Sequence, residues 1–268
     1  MRIIILTGNE TRHKFFRIRV AFEKNITVLK TYCEGEEFSL ENRIKKDSYE
    51  NNLLLNHVKS RSQSERDFFS EIIGLLPDYS SPVNIPKGSI NDLSVVEEIL
   101  SLNPDLLICY GSSIIKSKLL DKFKGRFLNV HLGLSPYYRG SGTNVWPLIN
   151  QEPEYIGATF MFIDEGIDTG QIIHQIRADI FIGDTPHTIG NRLILQMTKV
   201  FIKIIRSYNR LTIENQIQSS SKYYTRSHFD LFACRKLYDN FNSTMIEEFL
   251  YNRINREVKI VENKGLNG

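Results

Sequence analysis

The chain has 268 residues, 41% of them hydrophobic and 24% charged, with a formal net charge of +3. These are ordinary proportions for a globular protein able to build the core of one large domain with a small appendage. The slight positive balance does not by itself point to a nucleic-acid binder, and no apolar run reaches the ~20 residues of a membrane span.

The first element in chain order is the apolar run Ile3 to Leu6, stopped by Thr7-Gly8-Asn9, which reads as a buried strand ending in a turn. A helix follows over 12–22 and a β-branched strand over 26–32. Residues 34–80 are polar and read as a helical insertion. Within them, 53–76 has helical spacing, with Leu54, Val58, Phe68, Phe69, Ile72 and Ile73 as apolar positions. The charges Glu34, Glu36, Glu37, Arg43, Lys45 and Lys46 read as a solvated face.

Asn91 or Asp92 caps a helix that ends at Asn103-Pro104. Strands over 105–110 and 127–131 flank a short helix at 117–122. Such alternation predicts an open α/β, mostly parallel, Rossmann-like sheet with helices on both faces. Two more strands, 155–163 and 171–177, are separated by a polar, glycine-containing loop, and Thr185 starts a long helix to about 208. The expected organisation is a main domain over 1–207, carrying the 34–80 insertion, and a small C-terminal extension over 208–268. Cys33, Cys109 and Cys234 are odd in number and form no Cys-x-x-Cys pair, so reduced thiols and a cytoplasmic location are expected. No metal site is expected either: the acidic loop 164–170 lacks the ligand count of a calcium loop.

Chemistry concentrates between Phe127 and Gly170. Asn129 and His131 project to the same side of a strand, at the carboxyl end where parallel sheets place ligands. Taken singly, His131 reads as a satisfied semi-buried histidine, Asn129 as a loop tie and Asp168 as a turn residue.

Together the motifs say more. Asn129-Val130-His131, Leu134-Ser135-Pro136, Arg139-Gly140 and Asp164-Glu165-Gly166-Ile167-Asp168-Thr169-Gly170 occur in that order. This combination resembles the folate-dependent formyltransferase family, over about residues 1–205. That family includes the glycinamide ribonucleotide, methionyl-tRNA and nucleotide-sugar amine formyltransferases. The resemblance implies 10-formyltetrahydrofolate as co-substrate and Asn129, His131 and Asp168 as catalytic residues. In formyl transfer an amine attacks the formyl carbon, negative charge gathers on the formyl oxygen, and a proton must move. Asn129 would supply a fixed amide donor to that oxygen. His131 would donate to it or shuttle the proton. Asp168 would orient the imidazole, favour its charged form or accept a proton through water.

The resemblance places the pterin against Tyr110, Gly111, Ile114 and Ile115 on one side, and Ile163, Asp164, Glu165 and Gly166 on the other. Gly8, Asn9 and Arg12 at the first turn, with Tyr138, Arg139, Gly140 and Trp146, are the candidate substrate-binding residues. Trp146 can equally be core, and the remaining histidines, His57 and His187 among them, show no partner pattern. Glu10 beside a phosphate would disfavour a glycinamide ribonucleotide acceptor. Low net charge and the short tail weigh against tRNA. Asn144-Val145-Trp146-Pro147-Leu148 resembles the sugar-modifying branch, so the expected partner is a small nucleotide-sugar amine and no membrane, with methionyl-tRNA or glycinamide ribonucleotide as the less favoured alternative acceptors. A homodimer and a non-catalytic folate-binding module are left open.

Overall fold

A computed structural model describes residues 1–35, 40–46, 52–217, 220–252 and 258–266. The first elements are β1 (Arg2–Thr7), α1 (Thr11–Ala21), β2 (Thr27–Glu34), α2 (Leu40–Lys46), α3 (Asn52–Leu75) and β3 (Pro82–Ile85). Next come α4 (Leu93–Leu102), β4 (Leu106–Tyr110), α5 (Ser117–Lys122), β5 (Phe127–His131), β6 (Tyr138–Gly140) and α6 (Trp146–Ile149). The chain continues with β7 (Gly157–Phe162), β8 (Ile172–Arg177), α7 (Pro186–Arg206), β9 (Lys222–Tyr224), α8 (Leu231–Asn242) and α9 (Met245–Asn252).

Seven strands form one sheet in the order β3-β2-β1-β4-β5-β7-β8. The pairs from β3 through β5 are parallel; β7 runs antiparallel to both β5 and β8. The unbroken apolar run of β1 follows from its central place. Ile3 and Ile5 enter the core on one face, Ile4 and Leu6 the core on the other, and all four are fully buried. The first face is covered by α1, α3 and α7, through Phe15, Phe16, Phe69 and Phe201. The Phe15 and Phe69 rings stack at 4.7 Å, and burying a side chain such as Phe69 stabilises by roughly 1.5–3 kcal/mol. The second face is covered by α4 and α5, through Val96, Ile99, Leu119 and Phe123. Thr185 caps α7 by accepting the Thr188 N–H at 3.1 Å, with Pro186 in the first turn.

Three features depart from the sequence reading or exceed it. First, Glu34 is not part of a solvated face. It ends β2 fully buried, and its carboxylate accepts from Lys87 Nζ at 2.9 Å and from the N–H groups of Gly88 (2.9 Å) and Ser113 (2.5 Å). A buried charge is tolerated where its lone pairs are met this way. Second, β3 gives no sequence signal because it is short, starts at proline and lies at the sheet edge, where proline is allowed. Third, β9 pairs with β6, and Asn263 donates to the Ile173 carbonyl of β8 at 2.7 Å, so residues of the 208–268 stretch pack on the main sheet region. Parts of the expected insertion and extension, residues 36–39, 47–51, 218–219, 253–257 and 267–268, lie outside the described residues. No helix among the described residues is long and apolar enough to cross a membrane.

Candidate active site

Strand β5 delivers Asn129 and His131 to the carboxyl end of the sheet, between β4 and β7. His131 is buried, and its Nε2–H donates to the Tyr138 carbonyl at 3.0 Å. Thr143 Oγ1 lies 3.3 Å from the same nitrogen and donates to the Leu132 carbonyl at 2.6 Å. The loop after β5 passes so close that a Cβ at Gly133 would stand 2.5 Å from His131 Nε2, which explains a glycine there.

The other ring nitrogen, His131 Nδ1, faces Asp168 Oδ2 at 3.3 Å. Asp168 sits in the left-handed region with φ 54°, a conformation that Asp tolerates better than most residues. Two contacts hold it there. The Gly140 N–H donates to Asp168 Oδ2 at 2.9 Å, and Gln216 Nε2 donates to the carbonyls of Asp168 (2.9 Å) and Gly170 (2.8 Å). The Asn129 side-chain amide has no protein partner among the described residues, although the residue is half-buried. Asn129, His131 and Asp168 all line one cleft of ≈ 920 Å³. Such a cleft can take a drug-sized ligand and a second reactant together.

The family model described as formyl transferase matches residues 35–205. The chain belongs to the formyl transferase family. The methionyl-tRNA formyltransferase of Desulforamulus reducens is 35% identical over 132 residues, which is 49% of this chain and 41% of that protein. That of Finegoldia magna is 32% identical over 130 residues, 47% of this chain and again 41% of that protein. The chain thus spans about two fifths of the length of these curated relatives. Among solved structures, the formyltransferase PseJ from Anoxybacillus kamchatkensis, in complex with UDP-4,6-dideoxy-4-formamido-L-AltNAc and tetrahydrofolate, aligns with TM-score 0.52 at 19% identity, covering 88% of this chain and 97% of that one. An N-formyltransferase from Helicobacter canadensis, bound to folinic acid and dTDP-3-aminofucose, aligns with TM-score 0.56 at 20% identity, covering 90% and 80%.

Within the cleft, Tyr110, Gly111, Ile114, Ile115, Ile163, Asp164 and Gly166 are lining residues; Glu165 is exposed outside it. The loop after β4 is held from several sides. Ser113 donates to Glu34, Asn91 Nδ2 donates to the Ile114 carbonyl at 3.0 Å, and the Lys116 N–H donates to Asn91 Oδ1 at 2.8 Å.

Of the candidate substrate residues, Gly8, Arg12 and Gly140 line the cleft, whereas Asn9, Tyr138, Arg139 and Trp146 lie outside the lining. Tyr138 is buried, with its hydroxyl bound to Glu152, and Arg139 Nε donates to Ser221 Oγ at 2.7 Å. Trp146 is stacked face to face on Tyr224 at 3.9 Å, and its indole N–H donates to the Ser141 carbonyl at 3.1 Å. Arg12 is engaged by two carboxylates, Glu65 at 2.6 Å and Glu10 at 3.1 Å. Burial alone would lift the Glu10 carboxyl, yet Arg12 and His13 hold it well below the usual carboxylate range. Burial keeps His13 below the ordinary imidazole range, although the neighbouring Glu10 carboxylate works against that shift.

The structure adds cleft residues that the sequence did not single out. His57 of α3, His187 of α7 and Phe229 line the cleft, and Tyr238 of α8 stands behind the two histidines. Gln216 also escaped notice, because its role depends on a contact with a loop far away in the chain.

Proposed function

We propose that the chain transfers the formyl group of 10-formyltetrahydrofolate to a primary amine, and that this amine belongs to a nucleotide-linked deoxyamino sugar. One observation carries the reading: an unpartnered asparagine amide and a histidine–carboxylate pair share the wall of one cleft large enough for two reactants. The cleft fits the folate in one particular respect. Ile114, 67% exposed at its edge beside Gly111 and Ser113, offers apolar surface next to backbone polar groups. Tyr110, Gly111, Ile114, Ile115, Ile163, Asp164 and Gly166 would hold it. When bound, the folate supplies the formyl carbon; the rest of the chemistry is the chain's own.

Asn129 donates an amide hydrogen to the oxygen that gains negative charge, with no reorganisation needed because the amide has no protein partner to release. The His131–Asp168 pair takes the proton that the attacking amine loses and returns it to the folate nitrogen as the bond from that nitrogen to the formyl carbon breaks. The Gly140 N–H and Gln216 fix where Asp168 Oδ2 stands, and the Tyr138 carbonyl fixes the imidazole. Preorganisation of this kind keeps the pair at working geometry before the amine arrives. The Arg12 charge, already offset by Glu10 and Glu65, leaves the turn after β1 poorly suited to a ribonucleotide phosphate. Three buried free thiols, Cys33, Cys109 and Cys234, suit a reducing cytoplasm.

A second reading has its own support. The sequence relatives at 32–35% identity are named methionyl-tRNA formyltransferases, so the amine of an aminoacyl-tRNA is the competing acceptor. The deciding experiment assays formyl transfer from 10-formyltetrahydrofolate to dTDP-3-aminofucose and related nucleotide aminosugars, to glycinamide ribonucleotide and to methionyl-tRNA. Turnover of a nucleotide aminosugar is expected. Turnover of methionyl-tRNA alone would replace the sugar reading, and folate binding without turnover of any amine would reduce the chain to a binding module.

A further inference from the structure

Outside the Asn129–His131–Asp168 group, one cluster of polar side chains opens on the same cleft and has no part in the chemistry above. His57 and His187 are 4% and 9% exposed, and their rings stand 4.8 Å apart. The Tyr238 hydroxyl joins them, 3.1 Å from His57 Nδ1 and 3.5 Å from His187 Nε2. That leaves His57 Nε2 and His187 Nδ1 without a protein partner among the described residues. Both rings line the cleft, so these atoms are open to a bound ligand.

The cluster is continuous with the reacting centre. Thr143 touches His131, the adjacent Asn144 reaches α7 so closely that a Cβ at Gly190 would stand 3.1 Å from its amide, and His187 lies on that same helix. On the other side, Phe229 packs against the His57 ring at 5.0 Å and against Trp146 at 6.3 Å. Arg12 and Arg61 stand against Glu10 and Glu65 on the cleft wall, and Arg226, three residues from Phe229, adds a further cation to it.

We propose that His57, His187 and the Phe229 ring form a subsite for the uncharged sugar ring of the acceptor, the imidazoles hydrogen-bonding its hydroxyl or acylamino substituents. An aromatic face beside neutral donors and acceptors is the chemistry that reads a hydroxylated ring, which presents apolar C–H surface and polar edges together. Tyr238 is a positioning residue, fixing both rings from behind. This inference rests on the reading that the acceptor is a sugar amine, and it names which wall of the cleft selects that sugar.

The test uses the full chain with three substitutions, His57→Leu, His187→Leu and the hydrogen-bonding control His187→Gln, each first checked for a wild-type unfolding transition. Binding of dTDP-3-aminofucose and of dTDP is measured by calorimetry, and kcat and KM are measured for whichever nucleotide aminosugar the wild type turns over. Each leucine variant should raise KM for the aminosugar roughly tenfold or more, with kcat and folate affinity little changed. The leucine variants should also lose the preference for dTDP-3-aminofucose over dTDP, while His187→Gln retains part of it. Wild-type KM and unchanged preference in both leucine variants would overturn the subsite while leaving formyl transfer to sugars intact. A wild type that formylates no nucleotide aminosugar removes the underlying reading, and the subsite with it.

Discussion

His131 Nδ1 lies 3.3 Å from Asp168 Oδ2, although one residue ends β5 and the other sits in the loop between β7 and β8. The contact makes the carboxylate's charge, rather than its shape, the testable quantity. Asp168→Asn keeps an oxygen for the Gly140 N–H and removes the charge. We expect kcat to fall by roughly 10²–10⁴, the usual worth of a positioned acid–base group, with the unfolding midpoint little changed. Wild-type rates from this variant in a formyl-transfer assay would exclude the pair from proton transfer.

Asn129→Ala should lower kcat by roughly 10²–10³, the typical effect of deleting one donor to a developing oxyanion. KM for the amine should change little, because the lost interaction is made mainly in the transition state. A variant with raised KM and normal kcat would instead assign Asn129 to substrate binding.

Gln216 donates to both the Asp168 and Gly170 carbonyls. In Gln216→Ala those bonds vanish, each worth about 1 kcal/mol net. The loop should open locally more often than the whole protein unfolds. Faster amide hydrogen exchange around Gly170, with a several-fold drop in kcat and a small shift in global stability, is the expected pattern; unchanged exchange would show that the loop is held by other contacts.

The buried histidine pair predicts a pH dependence. Burial, reinforced by the charges of His187 and Arg61, pushes His57 down to about 3. Burial and Arg61, opposed by Glu65, push His187 down to about 4. The unfolded chain takes up these protons as pH falls below ~6.5, whereas the folded one does not until far lower. Each group therefore contributes stability that is full above ~6.5 and is lost as pH falls toward its folded value, by up to about 1.4 kcal/mol per pH unit. Urea unfolding between about pH 5 and 6.5 should show a flatter profile for the His57→Gln, His187→Gln double variant than for wild type. Parallel profiles would mean that both rings protonate freely in the folded protein.

Much of the fold was legible because its signals are local. The apolar runs of β1, β4 and β5 need no partner to be read, and neither does the Thr185-Pro186 start of α7. The order of Asn129, His131 and the acidic loop likewise marked the residues that meet in the cleft. The tertiary structure alone decided which neighbours each side chain acquires. It buried Glu34 against Lys87, tied Arg12 to Glu10 and Glu65, laid Trp146 on Tyr224 and turned His57 toward His187. The physical reason is the same in each case. A side chain's charge, exposure and free hydrogen-bonding atoms depend on groups brought close by packing. Many of those groups lie far away along the chain, where periodicity and local propensity carry no information about them.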